Sequence, residues 1–242
     1  MSVSPTKSVY GAYFEANYRD ETFKYYITGK YGRFYWSHLK GINYPFVFLD
    51  IGANQGLYAV TASSNEFLVK AYAFEPVSEI AALLRRNVEI NGSEGDVAVV
   101  VKAISNLRGD WAVAFDRHHS GVVTLSSETD ETPSDRSEVM ITSTDHIGLN
   151  GIVKERGYPV HCKVDVEGQE ETVISELLKC EFAADIVEIF FEVDERWVSP
   201  ESLLNRLRQA GFELEKSGNE KHYDVLARRG AALSTFAGSS GG

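Results

Sequence analysis

The chain has 242 residues, of which 43% are hydrophobic, and its formal net charge is −11. This length supports one α/β domain with a sheet covered on both faces, and the acidic surface argues against nucleic acid as a partner, because it repels phosphate backbones. No apolar run reaches the ~20 residues of a membrane span and no signal-peptide pattern is present, so we expect a cytoplasmic protein without a membrane partner.

The first forty residues are rich in aromatic side chains, and we treat residues 1–40 as an N-terminal extension. Within it, residues 21–27 have the composition of a strand, and residues 32–39 that of a short helix. Two interpretations remain open. The rings cover one edge of the sheet, or they form a lid that contributes aromatic walls to an acceptor pocket.

From residue 46 the sequence predicts a strand (46–51), a turn, a helix (55–63) and a second strand (69–75). The turn carries Asp50, Gly52, Asn54 and Gly56 at every second position, and the second strand ends in Glu75. Glycines let the backbone turn sharply and approach a ligand closely. This order of a strand, a glycine turn, a helix and an acid is that of a nucleoside-binding βαβ unit, in which the acid accepts hydrogen bonds from ribose hydroxyls.

Strands and helices continue to alternate along the chain, apart from an antiparallel insertion at about 110–142 that contains a polar loop (126–136). The remaining predicted elements are helix 77–91, strand 97–103, helix 144–156, strand 159–165, helix 169–179, strand 185–192, helix 200–210 capped by Ser199, and a hairpin of strands 212–216 and 222–227. The fold prediction is therefore a doubly wound, Rossmann-like, mostly parallel sheet with a C-terminal antiparallel hairpin strand. This combination is typical of class I methyltransferases that use S-adenosylmethionine (SAM). Residues 41–229 form this domain, and the Gly/Ser-rich tail 230–242 is expected to be disordered.

Four segments of the chain together resemble the FkbM family of class I SAM-dependent methyltransferases. They are Leu49-Asp-Ile-Gly-Ala-Asn-Gln-Gly56, Ala73-Phe-Glu-Pro76, Lys102-Ala-Ile-Ser105 with the later Ser143-Thr-Asp-His-Ile147, and Lys163-Val-Asp-Val-Glu-Gly-Gln-Glu170. The glycine turn alone occurs in many nucleotide-binding proteins, whereas these segments in this order are specific. The resemblance covers residues 46 to about 192 and implies SAM as the cofactor.

For SAM we expect Gly52 and Gly56 to give backbone access to the methionine moiety, and Asp50 to accept from its ammonium group directly or through water. Glu75 is expected to bind the two ribose hydroxyls, and Ala103 and Ser105 to border the adenine. Asn54 is expected to contact the cofactor, and it also serves as a turn former, since the two roles do not exclude each other. Simpler roles remain open for the others: a carboxylate that caps the turn for Asp50, a surface glutamate for Glu75, and an ordinary strand-to-loop junction for Ala103 to Ser105.

Asp165 and Glu167 follow the strand expected beside the first one, at the topological switch point where ligands bind. Carboxylates there orient or deprotonate an acceptor hydroxyl, stabilise a sulfonium or hold a divalent ion, and we take both residues as the catalytic candidates. For Glu167 the alternative is a carboxylate at a helix N-terminus without a chemical role. Glu192 is a second-rank candidate, and Lys163 is expected to pair with a carboxylate.

The histidines and cysteines predict no metal site. The six histidines lack the spacing of a zinc-binding helix, and the two cysteines, Cys162 and Cys180, are expected to be inert thiols. His118 and His119 are either a general base that reaches the acceptor or part of an exposed loop. A requirement for a divalent cation and the oligomeric state stay open.

The leading hypothesis is transfer of a methyl group from SAM to a hydroxyl oxygen of a sugar, glycan or secondary metabolite. An alcohol must lose its proton as the new bond forms, which calls for a nearby base. The absence of an Asn/Asp-Pro-Pro-(Tyr/Phe) segment after the fourth strand disfavours methylation of nucleic-acid bases. The alternatives are a non-catalytic SAM- or nucleoside-binding module and a nicotinamide-dependent oxidoreductase, for which a GxGxxG spacing is expected.

Overall fold

The computed structural model describes residues 4–116, 123–125, 136–195, 200–218 and 221–230. These residues form thirteen strands and seven helices, which in chain order are β1 (Thr6–Lys7), β2 (Tyr13–Phe14), α1 (Glu21–Thr28), α2 (Arg33–Lys40), β3 (Phe46–Ile51), α3 (Leu57–Ala62), β4 (Leu68–Phe74), α4 (Ser78–Ile90), β5 (Val97–Val100), β6 (Ala103–Ile104), β7 (Gly109–Asp116), β8 (Val123–Leu125), β9 (Arg136–Thr144), α5 (His146–Ile152), β10 (Val160–Val164), α6 (Glu170–Leu177), β11 (Ile186–Asp194), α7 (Glu201–Gln209), β12 (Glu213–Gly218) and β13 (His222–Arg228). None of the described helices combines the length and hydropathy needed to cross a bilayer.

A seven-stranded sheet in the order β12-β13-β11-β10-β3-β4-β5 forms the centre of the molecule. The pairs from β11 through β10, β3 and β4 to β5 are parallel, and β13 runs antiparallel between β11 and β12. The predicted fold, including its closing antiparallel hairpin strand, is therefore confirmed. The chain leaves β3 towards β4 on one side and later returns to pair β10 on the other side. The crevice at the carboxyl ends of β3 and β10 is thus the topological switch point at which this fold class binds ligands.

Both faces of this sheet are covered by helices, and β3 shows how the sequence encodes this arrangement. All six of its residues are buried. Val47, Leu49 and Ile51 pack with α5, α6 and α7, whereas Phe46 and Phe48 pack with α1 to α4 on the other face. Alternate side chains of a strand point to opposite faces, so a continuous apolar run indicates a strand that is covered on both sides.

The prediction of a strand at residues 21–27 is wrong, because this segment forms α1. The carboxylate of Asp20 accepts a hydrogen bond from the backbone N–H of Thr22 at 2.8 Å, and Gly29 ends the helix with φ +71°. Phe23 and Tyr26 are both buried, and their separation of three residues places them on one helical face. The two caps and this burial outweigh the β-propensity of a segment rich in aromatic and β-branched residues. The helix predicted at 32–39 is present as α2.

The N-terminal aromatic residues cover a face of the sheet and not only an edge. Phe14, Phe23 and Tyr35 are fully buried within the cluster that contains Phe46 and Phe48. The ring of Tyr35 stacks on that of Phe190 with 4.3 Å between centroids and 6° between planes. These contacts fix α2 against the sheet.

A second, four-stranded sheet has the order β6-β9-β7-β8 and contains the strands predicted for the insertion. The predicted strand 97–103 is too long. It splits into β5, which extends the central sheet, and β6, which pairs in parallel with β9 at Ala103 and Ser143. The break lies at residues 101–102, where the backbone N–H of Lys102 donates to the carbonyl of Val100 and ends the ladder with β4.

The remaining predicted elements are present with shifted ends. The helix predicted at 144–156 ends at Ile152, and Asp145 caps it by accepting from the backbone N–H of Gly148 at 3.0 Å. Several predictions fall on residues outside the described ranges: the cap at Ser199, His118 and His119, the polar loop apart from Arg136, and the tail apart from Gly230.

Replacement of Gly52 by alanine is expected to destabilise the protein by about 2–4 kcal/mol, because the residue is both strained and crowded. Its φ is +73°, and an added Cβ would lie 1.9 Å from the carbonyl oxygen of Asp165. Gly151→Ala in α5 is the control, since no atom lies within 4 Å of its added Cβ. Chemical denaturation of both variants measures the difference. Equal free energies of unfolding would contradict the close approach of the two loops.

Candidate active site

A cavity of about 550 Å³ lies at the carboxyl ends of the central strands, at the switch point. Its walls come from the turn after β3, the end of β4, the segment around β6, the loop after β10 and the end of α1. The residues that line the cavity include Tyr25, Tyr26, Tyr31, Gly52, Asn54, Glu75, Ala103, Ser105, Trp111, Lys163, Asp165, Glu167 and Glu192. The fold therefore brings together most of the residues predicted to form the site.

The carboxylate of Glu75 is held by two backbone N–H groups, one on each oxygen. Asn54 donates to Oε2 at 3.0 Å and Val77 donates to Oε1 at 2.9 Å. Asn54 adopts φ +50°, which aims its N–H across the gap between the loops after β3 and β4. Burial raises the pKa of Glu75 to about 7, against the effect of these hydrogen bonds. Each oxygen keeps a further lone pair for a ligand, so Glu75 is a fixed, buried acceptor.

Asp50 and Gly56, both expected to contact the cofactor, are not among the described residues that line the cavity. Asp50 Oδ2 accepts from the backbone N–H of Ala59 at 2.9 Å, within α3. An added Cβ on Gly56 would lie 2.2 Å from Leu84 Cδ1, so this glycine permits α3 to pack on α4. Neither residue lines the cavity itself: both support the turn from behind, and a contact of Asp50 with the cofactor through water stays a prediction.

Lys163 joins the two loops that meet at the switch point. Its ammonium group donates to the carbonyl oxygen of Gly52 at 2.7 Å and lies 3.5 Å from Asp165 Oδ2 and 3.7 Å from Asp50 Oδ1. It also lies 5.6 Å from the centroid of the Tyr58 ring. Burial raises the pKa of Asp50, although the charge of Lys163 and the Ala59 amide oppose the increase. The expected pairing of Lys163 with a carboxylate is confirmed.

Asp165 and Glu167 have different surroundings. Asp165 Oδ2 accepts a hydrogen bond from the hydroxyl of Tyr31 at 2.7 Å in addition to its ion pair with Lys163. Glu167 lines the cavity with no cation at ion-pair distance among the described residues. Partial desolvation and the nearby carboxylates of Asp165 and Glu192 raise the pKa of Glu167 to about 8, even though the residue is exposed at the cavity mouth.

The alternative role considered for Glu167, a carboxylate at the start of a helix, belongs to Glu170 instead. Oε1 of Glu170 accepts from the backbone N–H groups of Val166 and Gly168 at 3.0 and 3.2 Å. Glu167 itself adopts φ +54°, an uncommon conformation for a residue with a Cβ. Such strain persists where the surrounding structure enforces it, and here it places the carboxylate in the cavity wall.

Tyrosines from the N-terminal extension form one wall of the cavity, although none of them was among the individual residues predicted for the site. Tyr25, Tyr26 and Tyr31 line the cavity, and the amide Nε2 of Gln55 donates to Asp20 Oδ2 at 2.7 Å, which ties α1 to the glycine turn. Burial and the charge of Asp165 raise the pKa of Tyr31 well above its usual value, so its hydroxyl remains a donor. The feature of the sequence that could have indicated this wall is the aromatic composition of residues 1–40.

Ala103 and Ser105 both line the cavity; Ala103 lies in β6 of the second sheet, and Ser105 directly follows that strand. The backbone N–H of Ser105 donates to the carbonyl of Thr144 at 2.9 Å, and Trp111 Nε1 donates to Ser143 Oγ at 3.0 Å. These contacts place a tryptophan ring and Ile141 in the same wall.

A second cavity of about 310 Å³ shares Tyr31 and Glu192 with the first. Glu192 contacts His222 Nε2 and lies opposite Asp224 in the pairing of β11 with β13. Desolvation and the charge of Glu192 raise the pKa of Asp224 to about 6. Carboxylates therefore surround the junction between the cavities.

The family model of the methyltransferase FkbM domain matches residues 50–214, which is more than half of the chain. A search of curated proteins found no matching sequence.

Solved structures resemble this fold over most of the chain. One of them is M. jannaschii TYW2 in complex with AdoMet (SAM). It matches with a TM-score of 0.51 and 14% identity, over 94% of this chain and 87% of that one. A transferase from Pyrococcus horikoshii, PH0793, matches with a TM-score of 0.50 and 11% identity, over 93% of this chain and 70% of that one. At these identities the likeness shows the fold alone. The family match is what assigns the chain: it belongs to the FkbM family and is a SAM-dependent methyltransferase.

Proposed function

We propose that this protein transfers the methyl group of SAM to a hydroxyl oxygen of a small acceptor, namely a sugar, a glycan or a secondary metabolite. One observation carries the proposal: the cavity combines the fixed carboxylate of Glu75 with a pair of further carboxylates, Asp165 and Glu167. Glu75 serves to hold the nucleoside of SAM, and the pair serves the hydroxyl group that receives the methyl.

The cavity fits SAM in size and in chemistry. Its volume of about 550 Å³ lies within the range of about 300–1,000 Å³ that is usual for cofactor sites. The two oxygens of Glu75 suit adjacent ribose hydroxyls, and the apolar wall at Ala103 and Trp111 suits a base. When bound, SAM supplies a methyl group on a positively charged sulfur, and the surrounding carboxylates favour that charge.

Within the site, Glu167 is the better general base and Asp165 is better suited to orient the acceptor. Asp165 is already engaged by Lys163 and by the hydroxyl of Tyr31. Glu167 has a pKa of about 8, so its carboxylate binds a proton strongly. As the acceptor oxygen forms its bond to the methyl carbon and the sulfur–carbon bond breaks, Glu167 takes the hydroxyl proton.

The electrostatics support a small acceptor over RNA. The fold is shared with the M. jannaschii tRNA m1G37 methyltransferase, at a TM-score of 0.50 and 13% identity over 93% of this chain and 56% of that one. In this chain, however, Glu167, Glu192 and Asp224 line the two joined cavities, and the formal net charge is −11. This arrangement opposes a polyphosphate backbone, whereas hydroxyl groups donate readily to carboxylates.

The two alternative functions predict different measurements. A nicotinamide-dependent oxidoreductase would bind NADH, which a fluorescence titration detects, but the turn lacks the GxGxxG spacing and places Asn54 where a glycine is expected. A non-catalytic module would bind SAM without methyl transfer to any of a broad panel of hydroxylated compounds.

The first prediction concerns Glu75. Glu75→Ala is expected to weaken binding of S-adenosylhomocysteine by about 10- to 100-fold, because hydrogen bonds to a charged group contribute about 1.5–3 kcal/mol. Isothermal titration calorimetry measures the change, with Glu89→Ala on the exposed side of α4 as the control. An unchanged affinity in Glu75→Ala would refute the placement of the ribose.

The second prediction separates the two candidate catalytic residues. Glu167→Gln is expected to lower kcat by about 10²- to 10⁴-fold while affinity for the uncharged S-adenosylhomocysteine changes little, because proton removal is lost. Asp165→Asn is expected to raise KM for the acceptor as well, since it disturbs the contact with Tyr31. Full activity in both variants would exclude a carboxylate base after β10.

A third prediction follows from the pKa of Glu167. The base must be ionised, so activity should rise with pH and level off near or below pH 8, since the bound sulfonium lowers the pKa of Glu167 from about 8. Glu167→Gln should lack this rise. A further prediction concerns binding. SAM carries a positive charge that S-adenosylhomocysteine lacks, so the ratio of SAM affinity to S-adenosylhomocysteine affinity should increase on the order of 3- to 10-fold from pH 6 to pH 8.5, as Glu75 and Glu167 ionise. Calorimetry at the two pH values measures this ratio, and a constant ratio would argue against these raised pKa values.

A further inference from the structure

His38, His161 and Glu188 form a group that is separate from both cavities, with His161 and Glu188 buried and His38 half-buried, and we call it the His–Glu–His cluster. His38 lies on α2, His161 on β10 and Glu188 on β11. His161 precedes Asp165 by four residues, which places the cluster roughly 13 Å further down β10 at about 3.3 Å per residue. None of the three residues lines either cavity.

One nitrogen of each imidazole lies close to the same carboxylate. His38 Nε2 is 2.6 Å from Glu188 Oε2, and His161 Nδ1 is 3.2 Å from Glu188 Oε1. The two nitrogens and a carboxylate oxygen all lie within 4.8 Å of one another. Two imidazoles and one carboxylate are a common ligand set for Zn²⁺ and related divalent transition metals.

Two details are compatible with an ion between these groups. His38 Nε2 is buried, lies 2.6 Å from Glu188 Oε2 and has no other polar partner among the described residues, so it is available as a ligand. The second nitrogen of His161, Nε2, lies 3.1 Å from the hydroxyl of Tyr44, the outer contact that typically orients a metal-binding imidazole.

The other contacts of Glu188 are compatible with a bound ion. The hydroxyl of Tyr35 donates to Oε1 at 3.3 Å, and Arg228 Nε lies 3.3 Å from Oε2. The Arg228 side chain is 42% exposed and also reaches Glu215 at 3.5 Å, so it has an alternative partner at the surface. An ion requires ligand distances of about 2.0–2.2 Å, which side-chain shifts of about 1 Å provide.

We propose that the His–Glu–His cluster binds one divalent transition-metal ion of the Zn²⁺ type and thereby fastens α2 to β10 and β11. The consequence reaches the active site, because Tyr31 stands two residues before α2 and its hydroxyl contacts Asp165. A metal at the cluster holds the N-terminal wall of the cavity in place without taking part in methyl transfer.

The test uses the full-length protein without an affinity tag, freed of metal by a chelator. Titration with Zn²⁺ in competition with a chromophoric chelator should give one ion per chain, with a dissociation constant below about 1 μM. His161→Ala and Glu188→Gln should each weaken this binding at least 100-fold. His146→Ala is the matched control: it removes another histidine paired with a buried glutamate, His146 Nδ1 to Glu176 Oε2 at 2.8 Å, and should leave Zn²⁺ affinity unchanged.

A second measurement remains decisive if a variant fails to fold. Wild-type protein loaded with Co²⁺ should show the visible absorption of a low-symmetry site with nitrogen and oxygen ligands, and Zn²⁺ should abolish it and raise the Tm. Binding that survives in His38→Ala and His161→Ala would place the ion elsewhere and overturn the proposal. A wild-type protein that binds no Zn²⁺ and shows no Co²⁺ spectrum would overturn it equally.

Discussion

The ammonium group of Lys163 is the interaction on which the active site depends. It bridges the carbonyl of Gly52 to the carboxylates of Asp50 and Asp165, so it joins the loops after β3 and β10 at the switch point. A buried charge is costly unless it is paired and hydrogen-bonded, and Lys163 meets both conditions. The arrangement also requires glycine at position 52, because only a residue without Cβ allows the carbonyl of Asp165 to approach so closely.

This bridge divides the carboxylates of the site into two groups. Asp50 and Asp165 share the charge of Lys163, although burial still raises the pKa of Asp50. The pKa of Glu167 is raised to about 8 and that of Asp224 to about 6 by desolvation and by neighbouring acids. Under the proposed function, these acids would favour both a cationic sulfur and the removal of a proton from a hydroxyl group.

The sequence predicted the sheet well because its strands are continuous apolar runs that end in turn residues, and it predicted Glu75 because the acid follows such a strand. The predictions failed where the structure is determined by contacts that the sequence pattern does not show. The β-propensity of α1 yields to the cap at Asp20, and the helix-start role considered for Glu167 belongs to Glu170, a distinction that only the backbone between them reveals. Asp50 and Gly56 belong to the family motif yet lie behind the cavity, because some motif residues support the packing of the turn and do not line the cavity.

The two interpretations of the N-terminal aromatic residues turn out to be compatible. Tyr35 packs on Phe190 and covers the sheet, while Tyr25, Tyr26 and Tyr31 face the cavity. These tyrosines precede residue 50, where the match to the family model begins. The groups proposed to hold a nucleoside, and the carboxylates of the cavity, lie within the shared domain, whereas the extension supplies an aromatic wall. Specificity for the acceptor is therefore expected to depend on a segment that the family pattern does not describe, held to the shared sheet through α2 and the contacts of its buried side chains.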